Sequence, residues 1–168
     1  DHPFVRKRRG ENLAERKAPV TREFFWSRLV LCLLSTQQRS GPGSATSRFA
    51  AVQPFPLNWG TCSRRPDLAA FVQLILTDFG GIRRATTIGR ELETNRAFVE
   101  ASWVEASGML GCLGAPDCVQ VERDTANYIQ DHLKGFGPKQ SRNLLQALGL
   151  TRYEIPIDSR IIKWLNGT

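Results

Sequence analysis

Lys139 and Asp158 are the residues of this chain best placed to do covalent chemistry. Lys139 is the second residue of a helix expected to begin at Pro138, directly after the turn Gly135-Phe136-Gly137. A lysine amine is nucleophilic only when neutral, and the positive end of a helix dipole disfavours an ammonium at that position. Asp158 follows 19 positions later, in the context Ile155-Pro156-Ile157-Asp158-Ser159. There it can cap a final helix, and its carboxylate can also stabilise developing positive charge or take a proton from an amine or a water. Each residue has a plainer use: a solvated Lys that meets a phosphate, or an Asp that only caps.

The elements that must position them follow from glycine, proline and apolar spacing. Gly135 and Gly137 let the backbone turn sharply, Phe136 can pack back between two helices, and Pro138 suits a first helical position. Backbone N–H groups of such a turn, with the helix start behind it, suit a DNA phosphate. This reads as a helix-hairpin-helix element over about 117–149, which holds backbone without reading sequence. A helix that starts at Asp117 carries Val119, Val121, Ala126, Ile129 and Leu133. Upstream, Thr21 caps a helix running through Phe24, Phe25, Trp26, Leu29, Val30, Leu33 and Leu34 towards Arg39, ended by Gly41-Pro42-Gly43. Ser44 caps a short helix to Val52. Residues 53–66 are a loop, and 66–79 form a helix closed by Gly80-Gly81. Residues 82–110 are helical, broken near Gly89, with Ile88, Leu92, Val99 and Trp103 inward. No segment alternates with period two, so an all-α fold is expected. The expected organisation is a mobile basic arm over 1–20, a helical core over 21–150, and a segment over 151–168 carrying Asp158 and the start of the last helix.

Hydrophobic residues make up 41 % and charged residues 23 % of the 168, which excludes wholesale disorder. No apolar run approaches the ~20 residues that span a bilayer, so no membrane partner is expected. The net charge is +7. Residues 1–40 hold nine Lys/Arg against four Asp/Glu, and residues 134–168 hold six against two, whereas the stretch between is mildly acidic. Ends brought together would make one basic face for a polyanion. The four cysteines form no Cys-x-x-Cys pair and are joined by only two histidines, so no metal site or iron–sulfur cluster is expected. Trp26, Trp59, Trp103 and Trp164 are expected in the core.

Gly135-Phe136-Gly137-Pro138-Lys139 with Asp158 resembles the signature of the helix-hairpin-helix DNA glycosylases. The run Lys139-Gln140-Ser141-Arg142-Asn143-Leu144-Leu145, with Leu148-Gly149 after it, is most similar to the small prokaryotic 8-oxoguanine glycosylase/AP lyases. Leu33-Leu34-Ser35-Thr36-Gln37-Gln38 resembles the family's helix end, whose amides enter the DNA stack beside an extruded base. The resemblance implies a glycosylase fold in which Lys139 attacks the sugar and forms a Schiff base with Asp158 as its partner. Gln37 and Gln38 would act as wedge residues, and Gly135, Phe136 and Gly137 would hold DNA. It implies a monomer acting on damaged double-stranded DNA, cytoplasmic and nucleoid-associated in a prokaryote, with no cofactor beyond a monovalent cation on hairpin carbonyls. Family members continue past the position of Asp158, so a fold lacking its C-terminal part is expected. Two other functions fit the same residues: a non-catalytic helix-hairpin-helix DNA-binding module, and a monofunctional glycosylase using Asp158 alone.

Overall fold

The computed structural model describes residues 3–13, 19–113, 119–157 and 159–167, and among these the chain is all-helical. The helices are α1 (Pro3–Leu13), α2 (Arg22–Leu34), α3 (Ala45–Ala50), α4 (Trp59–Cys62), α5 (Leu68–Phe79), α6 (Ala85–Gly111), α7 (Val119–His132), α8 (Pro138–Ala147) and α9 (Ser159–Asn166). Asp158, Asp117 and Cys118 lie outside the described residues, as do 14–18 of the expected arm.

The central element is α2, which packs against α3, α4, α6 and α8. Thr21 caps it by accepting from Phe24 N at 3.2 Å, and Phe25, Trp26, Leu29, Val30, Leu33 and Leu34 are buried. Burial on nearly every side lets a polar bond be spent inside: Trp26 Nε1 donates to Leu57 O at 3.0 Å. Phe24 is the exception, half-exposed beneath the Arg28 guanidinium. The helix stops at Leu34, five residues short of the expected end. Ser35 Oγ and Thr36 Oγ1 both turn back to Cys32 O, at 2.8 and 3.1 Å, and compete with the continuing helical ladder.

Gly89 does not break α6. A Cβ there would stand 2.5 Å from Ala69 O, so this glycine exists to let α5 and α6 cross closely. The irregularity in α6 lies instead at Ser102, with φ −119° and ψ 16°. The expected loop over 53–66 contains α4, capped by Asn58 Oδ1 on Thr61 N at 2.8 Å. In α7 the inward face is Glu122, Thr125, Ala126 and Ile129, while Val119 and Val121 are exposed. Trp26 is buried and Trp59 and Trp103 pack on the core, but Trp164 is 68 % exposed on α9.

Residues 3–13, expected as part of a mobile arm, are helical and docked. Arg8 Nη1 and Asn12 Nδ2 donate to Gln146 O at 3.1 and 3.2 Å, and Asn12 Oδ1 accepts from Thr151 N at 2.9 Å. Carbonyls at a helix C-terminus lack intrahelical donors, and a cationic side chain there also opposes the negative end of the dipole. The basic segment is therefore anchored at the end of α8 opposite Lys139.

Burial pushes the Cys32 and Cys62 thiols from 9.0 up to about 12. Their protonated forms favour the fold below pH 9, a contribution lost as pH rises towards 12. Iodoacetamide at pH 8 is expected to modify exposed Cys112 and to spare Cys32 and Cys62 until denaturant is added, as peptide mass mapping would reveal.

Candidate nucleic-acid interface and active site

The turn between α7 and α8 is held from three sides. Gly135 has a φ of +85°, and a Cβ there would lie 2.7 Å from Leu33 Cδ2 and 2.8 Å from Glu91 Cδ. Asn95, fully buried, accepts from Lys134 N at 2.7 Å and donates to Lys134 O at 3.0 Å. Phe136 is 4 % exposed, so its ring serves the turn's packing and presents no surface to a ligand. Of the three turn residues Gly137 is exposed and Gly135 partly so; Gly137 precedes α8 with no side-chain cap. Gly135→Ala combines left-handed strain with overpacking and is expected to cost about 2–4 kcal/mol. A fall in melting temperature of roughly 5–15 °C would report it.

Lys139 is exposed on the first turn of α8. The next residue sets where that turn sits. Gln140 Nε2 donates to Cys32 O at 2.8 Å and to Thr36 Oγ1 at 2.5 Å, while its Oε1 accepts from Asn143 Nδ2 at 3.1 Å. This amide fastens the start of α8 to the end of α2. Between them opens a cleft of about 840 Å³, whose lining includes Gln37, Gln38, Arg39, Arg83, Lys139 and Asn143. That volume lies within the roughly 300–1,000 Å³ usual for small-molecule sites.

The lining residue Gln37, and Arg84 next to the lining residue Arg83, carry unusual backbone. Gln37 (φ 57°) and Arg84 (φ 64°) have left-handed conformations at non-glycine residues. Such conformations persist only where surrounding contacts enforce them. Gln37 is exposed. Gln38 is half-buried, with Nε2 donating to Leu34 O and Oε1 accepting from Arg83 N at 2.8 Å. Arg84 Nη2 bonds Glu91 Oε1 at 3.0 Å, which places that carboxylate against Gly135. Arg39, Arg83 and Lys139 give the lining three cationic side chains.

The segment leading to Asp158 is pinned by a carboxylate that hydrophobic periodicity had assigned no role. Glu122, fully buried, accepts from Arg152 N, Tyr153 N and Glu154 N at 2.8, 2.9 and 3.0 Å. Glu154 in turn holds Arg142 Nε at 2.6 Å and Arg123 Nε at 3.2 Å. Arg142 also donates to Pro138 O at 3.0 Å, so the 152–154 turn and the start of α8 are parts of one network. Sequence reasoning had brought Lys139, Gln37 and Gln38 forward but missed Arg83, Gln140, Glu91 and Glu122. The pair Arg83-Arg84 after Gly80-Gly81 was the available signal for the first.

Of the hairpin carbonyls expected to hold a monovalent cation, Leu133 O accepts from Phe136 N and Lys134 O from Asn95. Both accept hydrogen bonds within the protein. Among the described residues no cluster of His, Cys, Asp and Glu could hold a metal ion, and no helix is long and apolar enough to cross a membrane. In comparison with known proteins, the chain matches no family model, no curated protein and no solved structure.

Proposed function

We propose that this chain is a helix-hairpin-helix DNA glycosylase with AP-lyase activity, excising an oxidised purine, foremost 8-oxoguanine, from duplex DNA. The observation that carries the reading is the open cleft lined by both Lys139 and Gln37, with Arg39 and Arg83 beside them. An extruded nucleotide needs a cavity, a cation for its phosphates and a side chain to fill the vacated stack. Lys139 Nζ attacks the sugar C1′, the C1′–N9 bond breaks, and the base leaves with a proton. The Lys139 nitrogen lone pair then opens the sugar ring, the C1′–O4′ bond breaking and O4′ taking up a proton, which leaves a Schiff base at C1′. Loss of a C2′ proton expels the 3′ phosphate, and water hydrolyses the imine to release Lys139. Asp158 acts as the carboxylate partner on the strength of its sequence context. The exposed Gly137 and the uncapped start of α8 offer N–H groups to a DNA phosphate.

Incubation with a duplex containing 8-oxoguanine tests the reading. Free base and nicked strand are expected together, at matching rates. Base release without nicking would replace it with a monofunctional glycosylase. Tight binding with neither product, across a panel of oxidised purines, would leave only a DNA-binding module.

A further inference from the structure

We propose that Gln38 is a positioning residue that ties one wall of the cleft together, and that Gln37 alone of the two enters DNA. The assignment rests on the glycosylase reading and divides the labour within that site.

Both polar atoms of the Gln38 amide are already used. Its Nε2 donates to Leu34 O, a carbonyl at the end of α2, and its Oε1 accepts from Arg83 N at 2.8 Å. Entering the DNA stack would forfeit both bonds, whereas Gln37 is exposed at the left-handed turn immediately before it. The contacts continue beyond Gln38. Arg83 precedes left-handed Arg84, Arg84 pairs with Glu91, and Glu91 lies against Gly135. Gln38 thus joins the turn that projects Gln37 to the loop that projects Arg83. Two DNA-facing groups on separate loops keep a fixed separation only if something links those loops, and the Gln38 amide is such a link. Fixed placement matters because a misplacement of about 1 Å can cost a hundredfold in rate.

Gln38→Met keeps the side chain's length and removes both bonds. In the free protein, hydrogen exchange at Arg83 N–H is expected to quicken about tenfold in Gln38→Met. It should stay unchanged in Gln37→Ala and recover protection in Gln38→Glu, which retains the acceptor. Unchanged exchange in Gln38→Met would overturn the proposal. With a duplex carrying 2-aminopurine beside the lesion, Gln38→Met should weaken the extrusion signal about tenfold. Added to a Gln37→Ala/Arg83→Ala background it should cause no further loss. A further multiplicative loss there would mean that Gln38 touches DNA itself, and would equally overturn it. Failure of the parent protein to extrude any lesion would instead sink the glycosylase reading, and the exchange measurement would still decide the link between Gln38 and Arg83.

Discussion

Lys139→Gln is expected to abolish strand scission at 8-oxoguanine, with a loss on the order of a thousandfold or more, because no other group replaces a covalent nucleophile. The fold should survive intact. Lys139 is exposed on the first turn of α8, and substitutions at such positions change stability by only about 0.5 kcal/mol. The melting temperature should therefore stay within about 2 °C of the parent, which separates lost chemistry from lost structure. Gln at this position also keeps polarity and reach, so binding to the duplex should weaken by no more than the loss of one cation implies. Scission retained in Lys139→Gln would remove the amine from the mechanism.

Glu122→Ala should have the largest structural effect of any single substitution considered. It leaves three N–H donors, those of Arg152, Tyr153 and Glu154, without the carboxylate that now receives them, and opens a cavity in the core. Each donor loses a bond to a charged acceptor, and the sum is expected to be about 3–5 kcal/mol. Calorimetry should record a fall in melting temperature of roughly 10 °C or more. Glu122→Gln keeps one acceptor oxygen and should lose about half as much. Scission should fall with both, because the 152–154 turn leads into the segment carrying Asp158. A Glu122→Ala protein as stable as its parent would mean that those backbone groups find other partners.

The sequence made the helices legible where local rules act alone. Thr21, Ser44 and the Phe136 turn behave as cap and hairpin chemistry dictates, and the apolar run from Phe25 to Leu34 is buried as its density implied. What was hidden depended on tertiary partners. The end of α2 falls at Leu34 because hydroxyls and Gln140 claim the Cys32 carbonyl, and Gln140 comes from a helix more than a hundred residues away. Glu122 was invisible because a buried carboxylate breaks the apolar pattern, and the donors that justify it belong to residues 152–154. The basic N-terminal segment read as an arm because its use, capping α8 through Gln146 O, leaves no local signature. At the candidate site, residue types singled out Lys139 and Gln37, whereas the cleft between them required the fold.

The most direct test of the account is chemical capture. The protein is incubated with an 8-oxoguanine duplex in the presence of borohydride, and the adduct is located by peptide mass spectrometry. Reduction should fix a single nucleotide to the peptide containing Lys139, and no adduct should form on undamaged DNA. An adduct on another amine, such as Lys134 or the N-terminus, or none with any oxidised purine at saturating protein, would contradict it.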